Sequence, residues 1–102
     1  MTQAIAQYEA EGYPGEWRRH HQGGPIGYQD REFFVAPDAA RGTMQDNLAV
    51  AWNPSVTGAK SEDTLLLRSD GVDVVTAAST RWPTLEIPTD AGIVRRPDIL
   101  IT

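Results

Sequence analysis

Residues 63–76 constrain the fold most tightly. Asp63 to Arg68 and Val72 to Thr76 are rich in β-favouring residues, and Ser69-Asp70-Gly71 separates them. An Asp-Gly step between two such runs specifies a β-hairpin, because a tight connection needs backbone conformations that these residue types tolerate. The chain can support only one such folding unit. It has 102 residues, 40% of them hydrophobic, and a chain of this length buries only about two-thirds of its unfolded surface.

Other elements follow from periodicity and punctuation. From Thr2 to Glu11 the residues are good helix formers, with Ala4, Ile5 and Tyr8 on one face. Gly12 and Pro14 end this segment, so a helix is expected near residues 2 to 12. Between Gly12 and Gly27 lie five of the nine glycines and two prolines, around Trp17, Arg18, Arg19, His20 and His21, which reads as a shaped loop or a short irregular strand. Arg31 to Ala36 is extended in type, and Pro37 to Gly42 is a turn-rich connection. Asn47 to Trp52 alternates large and small apolar residues as a buried strand does, and Asn53-Pro54 ends it. From about residue 81, Pro83, Pro88 and Pro97 interrupt short apolar pieces such as Ile99 to Ile101, so the tail is expected as extended edge or coil rather than a central strand. The fold class is α+β: one N-terminal helix, then a mainly antiparallel set of strands, in one domain over 1–102.

Charge and composition narrow the function. Nine basic and fourteen acidic side chains leave a formal charge of -5, which argues against a basic groove for nucleic acid or an anionic membrane. With no cysteine there is no disulfide, thiol nucleophile or Cys-ligated zinc, so any metal must be held by histidine and carboxylates. Strictly apolar runs such as Leu65 to Leu67 and Leu48 to Trp52 are only a few residues long, and Met1 to Glu11 lacks a basic start followed by an apolar stretch. Cytoplasmic is the default reading.

Two constellations carry possible chemistry. His20-His21-Gln22-Gly23-Gly24 offers imidazoles beside glycines that permit close backbone approach. In an extended chain neighbouring side chains point to opposite faces, so only one of the two histidines is expected in a common site. Glu62-Asp63 at a strand start could ligate a hard or borderline cation, one carboxylate facing into the sheet and the other away. Taken singly, each has a plain structural reading: histidines beside a turn, and a solvated acidic turn. Arg18-Arg19 and Arg95-Arg96 read as solvated charge, and Trp52 as a core aromatic at a strand end.

The order HHQGGPIGY, AVAWNPSVTG and AKSEDTLLLRSDGVDVVT resembles the C-terminal half of the pita-bread metallopeptidase superfamily, which includes Xaa-Pro dipeptidase, aminopeptidase P, methionine aminopeptidase and creatinase. The resemblance runs from about Trp17 to Thr76. It implies a curved, mainly antiparallel sheet and a dinuclear site in which two Asp, one His and two Glu hold two ions around a bridging hydroxide. His21 matches the metal-binding histidine, with Gly24 on the family's glycine three residues later, and Glu62 matches the bridging glutamate. Asn53 stands where the family has another metal carboxylate, and Tyr28 where it has a second histidine that touches substrate; His20 joins Tyr28 as a substrate-binding candidate. The two aspartates would lie upstream of His21, which only twenty residues precede.

Divalent manganese, cobalt or zinc is therefore implied but not expected to be retained by this chain alone, and no catalytic residue is assigned. The expected function is the C-terminal part of a Xaa-Pro-type metallo-aminopeptidase or dipeptidase, hydrolysing N-terminal peptide bonds only when an upstream half supplies the missing ligands. The alternative is a non-catalytic interaction or small-molecule-binding module. Expected partners are a peptide substrate, when an N-terminal half completes the site, and a further copy of the chain as a homo-oligomer, with no nucleic acid and no membrane. His21 and Glu62, 41 positions apart, should meet on one concave face with His20 directed elsewhere.

Overall fold

The computed structural model describes residues 1–37, 43–77 and 79–102. The fold is α+β, with one N-terminal helix and antiparallel sheets. Helix α1 spans Thr2–Ala10, slightly shorter than expected. Gly12 turns at φ +84, and the Tyr13 N–H reaches back to the Tyr8 carbonyl at 2.8 Å, closing the end. A short 3-10 turn, Glu16–Arg18, follows.

The main sheet has four strands in the order β1-β2-β5-β6: β1 Gly23–Ile26, β2 Leu48–Trp52, β5 Asp63–Arg68 and β6 Gly71–Val74. All neighbours are antiparallel. The hairpin expected from Ser69-Asp70-Gly71 joins β5 to β6, with Arg68 opposite Gly71, so Ser69 and Asp70 make the two-residue turn and the glycine enters the ladder. Pro25 is tolerated in β1 because that strand is an edge. The stretch Arg31 to Ala36 is not a strand, but it runs along this edge: Glu32 N–H donates to the Pro25 carbonyl and Val35 N–H to that of Gly23, both at 2.9 Å.

Two smaller hairpins flank the sheet. Strands β3 (Ser55–Val56) and β4 (Ala59–Lys60) are joined through Thr57-Gly58, where Gly58 adopts φ +91. The proline-interrupted tail forms β7 (Thr84–Thr89) paired with β8 (Gly92–Pro97). It is extended, as the sequence indicates, yet paired: a two-stranded ribbon has only edges, where Pro88 and Pro97 do not interrupt a central ladder.

Register divides the main sheet into two faces. Gly24, Ile26, Ala49, Ala51, Thr64 and Leu66 share one, while Val50, Leu65, Leu67, Val72 and Val74 share the other. The buried apolar set among the described residues is small: Tyr8, Pro25, Val50 and Ala51. Polar bonds add to it. The Tyr8 hydroxyl donates to Gln22 Oε1 and accepts the Ser55 N–H, both at 2.7 Å, while Gln22 Nε2 donates to the carbonyls of Trp17 at 3.0 Å and His20 at 2.6 Å. Gln22 is thus buried and satisfied, and it ties α1 and the 3-10 turn to β1.

Candidate functional site

The face carrying Ile26, Ala51 and Thr64 forms the floor of an open cavity of about 660 Å3. Four segments build most of its walls, and Phe34 of the 31–36 segment adds to them. The β1 approach brings His20 and His21, and the turn after β1 brings Tyr28 and Arg31. The end of β2 contributes Asn53, and β4 with its exit contributes Lys60 and Glu62.

His21 and Glu62 therefore line one cavity. His20 does not point away from it, as strict alternation would require. The chain bends at Arg19 and His20 rather than running extended, so the two imidazoles lie with centroids 4.2 Å apart and both face the cavity. His21 also packs against Phe34, at 4.6 Å between ring centroids. Partial burial holds the His21 imidazole below its ordinary pKa, and the charges of His20, Arg31 and Lys60 push the same way against Glu62. Tyr28 is fully exposed where it lines the cavity.

Glu62, just before β5, and Asp63, its first residue, take different partners. Glu62 Oε2 lies 2.7 Å from Lys60 Nζ, and its Oε1 lies 3.7 Å from Arg31 Nη2. The Lys60 hydrogen bond is the main cause that holds the Glu62 carboxyl below its usual range. Asp63 is engaged structurally instead: it pairs with Arg96 of β8 and accepts the Thr76 hydroxyl at 2.8 Å. Arg96 is accordingly not a solvated charge, whereas Arg95 makes an exposed cross-strand pair with Glu86 at 3.1 Å.

The glycines of the histidine motif serve the protein's own backbone. A Cβ at Gly23 would meet the Ala51 carbonyl, and one at Gly24 the Phe33 carbonyl. Asn53 is 1% exposed, and its Oδ1 has no hydrogen-bond partner; Arg31 Nε is likewise buried and unpaired.

These residues do not fit a dinuclear metal centre by themselves. Among the described residues no three ligating side chains come together. His21 and Glu62 give two donors, the glutamate is neutralised by Lys60, and Asn53 offers an amide where a carboxylate is needed.

Arg31 belongs to no motif, and its place in the site is set by the turn after β1. Gln22 and Tyr8 give no stronger signal, since a lone glutamine or tyrosine reveals its polar role only through its tertiary partners. No described helix is long and apolar enough to cross a membrane. Compared with protein-family models, with curated proteins and with solved structures, the chain matches none.

Proposed function

We propose that this chain contributes the C-terminal part of the substrate cleft of a pita-bread-type metallopeptidase, which cleaves N-terminal peptide bonds once another segment supplies the remaining metal ligands. The observation that supports this most is that His21 and Glu62, 41 positions apart, line one open cavity that Tyr28 and Asn53 also line. Those four positions are the ones the family resemblance singles out, and a chance likeness of sequence would not need to bring them together. In this reading the chain's own residues shape and orient. Tyr28 can donate its hydroxyl to a substrate carbonyl. Phe34 and Ile26 supply apolar wall.

The test is metal titration and hydrolysis of Xaa-Pro dipeptides, first with the chain alone and then with it joined to the polypeptide encoded directly upstream. The expected result is no turnover alone and metal-dependent turnover when joined, lost in His21→Ala and in Glu62→Ala. Turnover that survives both substitutions would sink the reading. Metal-dependent turnover by the chain alone would also overturn it, and would mean that neighbouring copies complete the site.

A further inference from the structure

The cavity holds a feature that the peptidase reading does not use. Arg31 has a side chain only 14% exposed, yet its hydrogen bonding is poor. Nη1 donates to the Asp30 carbonyl at 2.7 Å, Nε has no partner, and Nη2 is 3.7 Å from Glu62, beyond hydrogen-bond reach. Of the five N–H donors of the guanidinium, the Nε–H is the one buried without an acceptor, which is costly unless one is supplied. Nε and Nη2 form one edge of the group, the edge that grips a carboxylate with two parallel hydrogen bonds.

Lys60 stands on the far side of the Glu62 head, 2.7 Å from its other oxygen. The two cations are thus already arranged around one carboxylate, which is closely bound by Lys60 and only loosely by Arg31. Beside them the cavity wall is apolar at Ile26, Phe34 and Ala51.

We propose that this cavity binds a small carboxylate with an apolar body, its head between Arg31 and Lys60 in place of Glu62 and its body against Phe34 and Ile26. Glu62 is then a built-in competitor: it pairs closely with Lys60 and loosely with Arg31 in the free protein and swings out, being 48% exposed, when the ligand enters. The Asp30 carboxylate, which also lines the cavity, opposes the anion, but it is exposed and screened by solvent. No metal takes part, so the proposal stands or falls separately from the peptidase reading.

The experiment titrates the full chain with benzoate, acetate, inorganic phosphate and the neutral benzyl alcohol, in the presence of a chelator. The Arg31 Nε–H and the His21 ring are followed by NMR, with calorimetry for affinity. Benzoate should saturate and bind several-fold more tightly than acetate, with phosphate and benzyl alcohol weaker still. Glu62→Gln should tighten benzoate several-fold by removing the competitor, and Lys60→Met should weaken it about tenfold. Equal binding of benzyl alcohol and benzoate, absence of saturation at Arg31, or weaker binding in Glu62→Gln would each overturn the proposal. The comparison of charged and neutral ligands on the unmodified chain decides the matter even where a variant fails to fold.

Discussion

Gly24 and Gly58 show how one residue type answers to two different constraints. At Gly24 there is no room, because a methyl group would run into the Phe33 carbonyl, a backbone atom that cannot swing aside. At Gly58 a methyl group would meet nothing within 4 Å, and there the constraint is φ +91, which side chains avoid. Gly24→Ala should therefore cost about 1–3 kcal/mol or more by forcing β1 off the 31–36 segment, whereas Gly58→Ala should cost about 1 kcal/mol. Urea denaturation of both variants checks the ranking, and equal losses would contradict the steric account. The glycines after His21 stand out in the sequence, but as a place for a ligand to approach. Only the pairing of β1 with β2 and its contact with the 31–36 segment reveals that protein backbone takes that space.

At the level of elements, two polar ties hold pieces that share little apolar surface. Arg96 joins β8 to the start of β5 through Asp63, and donates to the Ser61 hydroxyl at 2.8 Å. Both partners of the ion pair are largely shielded, at 24% and 13% exposure, so Arg96→Ala should destabilise by about 1–3 kcal/mol. Arg95→Ala, which removes an exposed pair, should cost less than about 1 kcal/mol. Thermal melts of the two variants separate these outcomes. Glu16 provides the second tie, accepting the Thr57 hydroxyl at 2.8 Å and its N–H at 2.9 Å, which fastens the 3-10 turn to the β3-β4 connection. The Thr57 hydroxyl bond is the leading cause that lowers the Glu16 pKa below its ordinary 4.5. A carboxyl whose folded value is depressed stabilises fully above the unfolded value and loses that contribution as pH falls through the folded one. The melting temperature should therefore drop on acidification below about pH 4.5, and Glu16→Gln should flatten that part of the profile. An unchanged profile in the variant would remove Glu16 from the account. Neither tie is legible in the sequence: Arg95-Arg96 reads as solvated charge, because a pair of arginines says nothing about which carboxylate the fold brings to it.

For the whole molecule, surface is the dominant fact. The accessible area is 8033 Å2, against about 5,700 Å2 for a compact monomer of this size. The Cα radius of gyration is 14.5 Å against about 13 Å. The excess, about 2,300 Å2, exceeds the ~800 Å2 that one partner gives to a standard interface. Val72 and Val74 stand 57% and 37% exposed on the sheet face opposite the cavity, and Ile93, Ile99 and Ile101 are more exposed still. The isolated chain should therefore associate into dimers or larger species, or unfold at low temperature with weak cooperativity. Light scattering and calorimetry test this, and a sharply melting monomer would contradict it. The helix near residues 2 to 12, the hairpin over 63–76, whose second strand ends at Val74, the strand over 47–52, which starts at Leu48, and the antiparallel α+β class were legible in the sequence, because each rests on local periodicity and turn chemistry within a few residues. Only the assembled fold decides that both histidines face one cavity, that Lys60 closely and Arg31 loosely flank Glu62, and that Gln22 is buried. Those outcomes depend on which distant segments register against one another, and burial and charge pairing exist only after that register is set.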